Sequence, residues 1–185
     1  WDSYRRSLAT EPDGSVVGAA IAYDTELRSL GLEQARKRAQ WEAWLLNAGE
    51  IPESSLTLAR DLSRMLVLDY LIGNRERFDD PLRGLSDGSR VVLRNHDTTF
   101  AAPLAPAIER RLRAGLLKVE RFSRSMLAGL VALDREALER LVAAEGGPLL
   151  DSARIGGVLE RRATILSYVE ALADRNGSEN VLFFD

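Results

Sequence analysis

The residues with the clearest chemical potential lie in two polar segments, and each follows a predicted regular element. The first segment, Asn74–Asp80, follows a predicted helix, and the second, Asn95–Asp97, follows a predicted short strand. Phosphoryl transfer needs such a set, because one carboxylate must orient the attacking hydroxyl while other oxygens hold magnesium against the phosphates. If the two segments meet at one pole of a helical bundle, the sequence predicts a phosphate-handling pocket there.

Simpler alternatives exist for the same residues. Glu76, Arg77, Asp79 and Asp80 could form a solvated charged turn, and His96 could anchor its loop by hydrogen bonds to the backbone. Five further arginines either form an exposed helical face or bind an acidic partner or a phosphate. These are Arg110, Arg111, Arg113, Arg121 and Arg124.

Composition limits the kinds of site that the chain can build. The 185 residues are 45% hydrophobic, which is typical of one domain with its own core. The absence of cysteine and the single histidine, His96, exclude disulfides and zinc sites of Cys and His ligands, and only His96 could serve a Ser-His-Asp triad. The net charge of -3 argues against a broadly basic nucleic-acid-binding surface, so no nucleic acid partner is expected. With no membrane-spanning apolar run and no visible signal peptide, we expect no membrane contact and a cytoplasmic location.

Hydrophobic periodicity predicts a mainly α fold, a helical bundle with a few short β-strands. We expect Asp134 and Asp151 to cap helices, and Asn176–Gly177 to end the last one. The apolar tail Val181–Phe184 is expected to dock onto the domain, and Trp41 to cover the core. The predicted strands are Ser15–Tyr23 and Arg90–Arg94, around a polar loop at 73–89; the predicted helices are Leu32–Asn47, Ser55 to about Ile72, 106–117, 119–132, 134–145 and 152–174.

Asp69 is unusual because it falls on the apolar stripe of the helix that ends near Ile72. A carboxylate that faces a core needs hydrogen-bond donors or a cation. Asp69 either reaches solvent at the helix end or braces the loop that follows. The sequence leaves both interpretations open.

At the two polar segments the chain resembles the HipA-type toxin kinases and the secretory-pathway (Golgi casein, four-jointed) kinases, with their bacterial relatives. The pattern of that group is a helix ending in Leu-Ile-Gly-Asn-x-Asp-Arg, then a strand ending in an acidic and amide cluster followed by Phe. Leu71–Arg77 and Arg94–Phe100 match it in spacing. The resemblance is strongest over residues 58–104 and weaker over Val16–Tyr23, which looks like a hinge strand, and over the helical C-terminal half.

The resemblance implies a kinase-like C-terminal lobe that spans residues 1–185 as a single domain. In that layout, 1–23 holds the hinge-like segment and strand, 32–72 two helices, 73–104 the catalytic-type loops and 106–185 the helical C-terminal part. The implied cofactors are ATP and Mg. The implied site residues are Glu76 and Asp79 for catalysis, Asn74, Arg77 and His96 for cofactor binding, and Asn95, Asp97 and Asp80 for the metal.

Three positions depart from the group's pattern. Glu76 stands in place of the catalytic aspartate, Asn95 in place of a metal-holding aspartate, and Pro81 near the position of a further asparagine. The departures imply a degenerate pseudokinase or binding module. The residues before Val16 contain no lysine and no glycine-rich loop, so we expect no ATP or Mg on the isolated lobe, and a protein partner or separate N-terminal lobe as its complement.

Two alternatives remain. One is an active ATP-dependent kinase, completed by a separate N-terminal lobe, that uses Glu76 as base and Asp97 as metal ligand. The other is a helical protein-interaction domain without kinase ancestry.

Overall fold

The computed structural model describes residues 27–79, 82–94, 96, 98–143 and 149–185. Within these ranges the chain is mainly helical, with one small three-stranded antiparallel sheet, which confirms the predicted fold class. The helices are α1 (Ala35–Trp44), α2 (Leu56–Ile72), α3 (Pro106–Leu116), α4 (Arg124–Ala132), α5 (Arg135–Ala143), α6 (Ser152–Asn176) and α7 (Ser178–Val181), with a 3₁₀ turn at Glu53–Ser55, and the strands are β1 (Arg28–Ser29), β2 (Arg83–Gly84) and β3 (Val91–Val92). The predicted strand at Ser15–Tyr23 lies outside the described residues.

The sheet occupies part of what the sequence predicts as a loop. β2 lies within the predicted loop 73–89 and pairs antiparallel with both β1 and β3. A side chain at Gly84 would collide with the Arg90 carbonyl oxygen, 2.0 Å from the ideal Cβ position. Glycine therefore lets the two backbones approach closely at this point.

Helix α2 lies at the centre of the core. Its residues Ala59, Leu62 and Met65 are fully buried, and it packs against α3 and α6. The buried residues of α6 include Ile155, Val158, Ile165, Val169 and Leu172. Leu159, Arg162 and Leu166 are only partly buried, whereas Arg161 is buried.

The predicted helix ends are mostly confirmed. Asp134 and Asp151 each accept a hydrogen bond from a backbone N–H three residues on, at 2.8 Å, as N-caps do. Gly177, with φ at 84°, follows the last residue of α6. The Ser55 side chain caps nothing, since a 3₁₀ turn leads into α2 instead.

The predicted helix at 119–132 begins later, at Arg124, because the preceding residues pair with the C-terminal tail. Phe122 donates its N–H to the Val181 carbonyl at 2.6 Å and accepts one from Phe184 at 3.0 Å. Val181 and Phe184 are buried, which confirms that the tail docks.

Near α1, the predicted burial of Trp41 is confirmed, whereas the exposure considered for Arg121 is not. Trp41 of α1 is buried as predicted, whereas Ala35 and Ala39 of the same helix are exposed. Arg121, for which an exposed helical face was one of two predicted alternatives, is only 9% exposed, so that alternative is wrong for this residue. Its guanidinium donates to the carbonyl of Trp44, the last residue of α1, and to the carbonyls of Asn47 and Gly49 in the segment that follows.

None of the helices in the described part of the chain combines the length and apolarity needed to cross a membrane.

We expect Leu62→Ala to lower the free energy of unfolding by about 2–5 kcal/mol, because it opens a cavity at the centre of the core. Chemical denaturation monitored by circular dichroism measures the change. Leu141→Ala is the matched control: Leu141 is 64% exposed, so its truncation should cost no more than about 0.5 kcal/mol. Equal costs in the two variants would contradict the placement of α2 in the core.

Candidate functional site

The candidate site is organised by a buried ion pair between Asp69 on α2 and Arg77 in the following loop. Arg77 Nε donates to Asp69 Oδ2 at 2.8 Å, and Nη2 donates to Oδ1 at 2.7 Å. The two side chains are only 6% and 4% exposed. This two-point contact is the strong geometry of an arginine–carboxylate pair. Asp69 therefore braces the loop, and the interpretation that it reaches solvent is wrong.

The loop leaves α2 through a tight turn that Asn74 completes. Gly73 ends the helix with φ at 72°, a left-handed conformation that favours glycine. The Asn74 side chain donates to Asp69 Oδ1 at 3.0 Å and accepts from the Glu76 N–H at 3.2 Å. Since Asn74 is 1% exposed, both of its side-chain polar groups serve the loop itself.

The two motif segments converge at the end of α2. Arg77 Nη1 donates to the Arg94 carbonyl at 2.7 Å, just beyond β3. The Phe100 N–H donates to the Ile72 carbonyl at 2.6 Å. The loop after α2 and the segment after β3 are therefore held side by side.

Glu76 and Asp79 lie on the accessible side of the braced loop. The Glu76 side chain is 39% exposed and pairs with Arg75 Nε at 3.2 Å. Asp79 is exposed, and its N–H donates to the Glu76 carbonyl at 3.0 Å. His96 is also exposed, and its carbonyl accepts from the N–H and hydroxyl of Thr99.

The predicted metal ligands Asn95, Asp97 and Asp80, together with Pro81, lie outside the described residues. Among the residues that are described, no three Asp, Glu or His side chains come together as a metal site would require. The Mg ligand set stays a prediction from the sequence.

A cavity of about 290 Å³ adjoins the braced loop, and we call it the basic cavity. The Asp69–Arg77 pair, Phe78 and Asp79 lie on its loop side, and Leu66 contributes an apolar surface. The remaining charged groups that line it are all cationic. They are Arg38, Arg75, Arg111 and Lys118.

Neighbouring groups fix the cations of the basic cavity in place. Glu42 accepts from Lys118 Nζ at 2.7 Å and from Arg38 Nε at 2.7 Å. Burial raises the pKa of Glu42, but the hydrogen bonds from Lys118 and Arg38 outweigh it and lower the pKa overall, so the carboxylate stays ionised. The Arg38 guanidinium lies 4.0 Å from the centre of the Phe78 ring.

Arg111 is the least neutralised of these cations. Its Nη2 donates to the Arg75 carbonyl, and among the described residues no carboxylate lies within ion-pair distance of it. The sequence pattern pointed to Arg111, as one of five arginines, and to the segment that contains Phe78, but not to Arg38 or Lys118. These two residues carry no sequence signal, because they come from segments that meet the loop only in the folded chain.

Comparison with known proteins adds no relative. No family model, no curated protein and no solved structure matches this chain. The functional interpretation therefore rests on the residues and contacts of the chain itself.

We expect Arg77→Met to lower the free energy of unfolding by about 3–5 kcal/mol, because it leaves the Asp69 carboxylate buried without its cation. Urea denaturation at neutral pH measures the loss. Arg75→Met is the control, since the exposed pair of Arg75 and Glu76 is worth about 1 kcal/mol or less. A loss of similar size in both variants would show that the Asp69–Arg77 pair is not the brace.

Proposed function

We propose that the chain is the C-terminal lobe of a kinase-like phosphotransferase that has become degenerate and acts as a binding module for an anionic group. The observation that carries the proposal is the brace formed by Asp69, Asn74 and Arg77. Through Arg77 it fastens the loop after α2 to the backbone at Arg94. It thus joins the two segments that resemble kinase motifs.

The chemistry of the brace favours a positioning role over a purely stabilising one. A buried ion pair is a weak source of stability, because the desolvation of two charges offsets most of their attraction. What the Asp69–Arg77 pair supplies is a fixed backbone path for residues 74–79. Phosphoryl-transfer sites depend on such positioning more than on covalent chemistry.

The residues on this path favour binding over catalysis. Glu76 occupies the position that the resemblance gives to the catalytic aspartate, and its carboxylate is paired with Arg75. A reacting group displaced by about 1 Å can cost on the order of 10²-fold in rate. Asn95 and Pro81 replace two further functional positions of the pattern, and neither supplies the charge of an aspartate.

The basic cavity supports the binding role. Arg38, Arg75, Arg111 and Lys118 line one cavity beside the braced loop, and Arg111 is the one that has no carboxylate partner among the described residues. Guanidinium groups hold phosphates and carboxylates by paired hydrogen bonds. The exposed arginines of α3 were predicted either to form an exposed helical face or to bind an acidic partner or a phosphate. The position of Arg111 in the wall of the basic cavity favours the second alternative for this helix.

A second candidate is an active phosphotransferase completed by a separate lobe. The observation that favours it is the exposure of Glu76, 39% of whose side chain is reached by solvent. A hydroxyl nucleophile could therefore approach this carboxylate. Loss of phosphotransfer in Glu76→Gln, measured in the assembled protein, would support this candidate over the first.

Calorimetric titration with ATP and magnesium tests the degenerate state. We expect no micromolar binding and no transfer of phosphate to a generic protein substrate, because two replaced positions weaken metal binding and general-base catalysis. Micromolar affinity for ATP with magnesium, or turnover that Glu76→Gln abolishes, would contradict the proposal.

Titration with inorganic tripolyphosphate tests the basic cavity. We expect Arg111→Gln to weaken binding roughly tenfold, as the loss of a charged hydrogen-bond donor does. Arg113→Gln is the matched control, because Arg113 lies on the same helix but lines a different groove. Equal affinities for all three proteins, or the absence of binding to the wild type, would rule out the cavity as an anion site.

A further inference from the structure

Arg161 on α6 is a buried cation with most of its hydrogen-bonding capacity unused. It is 8% exposed, and its Nε donates to the Leu71 carbonyl at 2.8 Å. Its Nη2 is buried and has no hydrogen-bond partner among the described residues. A guanidinium carries five N–H donors, so this arginine is left with donors that nothing in the described part of the chain accepts.

Other arginines at helix ends use more of their donors than Arg161 does. Arg121 donates to three carbonyls at and just beyond the end of α1, although its Nε is also buried without a partner among the described residues. Arg162 donates to two carbonyls at the end of α4. Arg161 makes the same kind of contact at the end of α2, but with one carbonyl only. Helix capping therefore accounts for its Nε and leaves the rest of the guanidinium unexplained.

Arg161 also lines a cavity of about 530 Å³, which we call the Arg161 cavity. Small residues keep it open: a Cβ at Gly156 would meet no atom within 4 Å. A Cβ at Gly157 would lie 3.2 Å from Arg161 Nη1, so glycine lets the helix backbone pass close beside the guanidinium. Tyr70 and the segment 102–104 complete the wall.

The charges around this cavity are arranged in two zones. Arg161 is buried, and burial lowers the pKa of its guanidinium, because desolvation disfavours the charged form. The exposed carboxylates of Glu109 and Glu160 also line the cavity and act on Arg161 in the opposite direction, but neither lies within ion-pair distance of it. The cavity thus presents a buried cation together with two solvent-accessible anions.

We propose that the Arg161 cavity binds a small amino-acid-like zwitterion. The carboxylate of the ligand accepts hydrogen bonds from Arg161, which supplies the missing acceptors to a desolvated charge. The ammonium group lies toward Glu109 and Glu160. A phosphate fits less well, because its larger negative charge would meet these two carboxylates. The inference is independent of the proposed function, since no residue of the braced loop or the basic cavity takes part.

The standard L-amino acids serve as probes, tested singly by saturation-transfer NMR and by thermal unfolding of the full chain. Acetate and ethylamine represent the two halves of the ligand, and inorganic phosphate represents the competing anion. We expect at least one amino acid to bind and to raise the melting temperature, with roughly tenfold higher affinity than acetate or ethylamine. Failure of every amino acid to bind, or tighter binding of phosphate than of any of them, would overturn the proposal.

Two variants locate the binding site. Gly156→Leu should abolish binding without lowering the melting temperature of the free protein, since its side chain enters open space and leucine favours helix over glycine. Gly129→Leu is the control, because Gly129 lies in α4 and its Cβ would also meet no atom within 4 Å. It should leave binding unchanged.

Arg161→Met should also abolish binding, although it removes the contact with Leu71 as well. If that variant does not fold, Gly156→Leu alone decides the question. Amino-acid binding that persists in Gly156→Leu would place the ligand elsewhere and refute the assignment of the Arg161 cavity.

Discussion

The contact on which the rest of the site depends is the buried ion pair between Asp69 and Arg77. A carboxylate on the apolar face of a central helix would be strongly unfavourable if it were alone. Arg77, in the loop after α2, pairs with the Asp69 carboxylate, and its Nη1 donates to the Arg94 carbonyl. The pair favours the observed path of the loop and its contact with the Arg94 backbone, because a different loop conformation would leave a buried charge unpaired.

Arginine side chains donate hydrogen bonds to carbonyls at the C-terminal ends of three helices of this fold. The last carbonyls of a helix have no partner within the helix and carry partial negative charge, so a guanidinium from elsewhere in the chain stabilises them. Arg121 contacts the last carbonyl of α1, Arg161 contacts a carbonyl at the end of α2, and Arg162 contacts one at the end of α4. These contacts tie distant segments together, and they explain why several arginines of an acidic protein are buried or partly buried.

The end of α2 lies between two cavities with opposite arrangements of charge. On one side, the basic cavity brings several cations to an opening beside the braced loop. On the other, the Arg161 cavity encloses one cation and exposes two carboxylates. Gly73, which ends α2, lies beside the second cavity, since its Cβ position is near Leu104 and the Arg161 guanidinium. Asn74 lines the basic cavity and Tyr70 lines the Arg161 cavity, so a ligand in either one would contact residues next to the same helix end.

The sequence by itself determined the helical class, most helix positions, the caps at Asp134 and Asp151, and the docking of the tail, because periodicity and capping are local properties that a short window of residues contains. It indicated that Asp69 was unusual but left its role open. Tertiary structure alone decided that Arg77 is its partner, that Arg121 is buried rather than exposed, that β2 forms within a predicted loop, and that Lys118 and Arg38 share Glu42. These outcomes depend on contacts between segments far apart in the chain, where burial and desolvation set which charges must pair, and no local pattern of residue types records them.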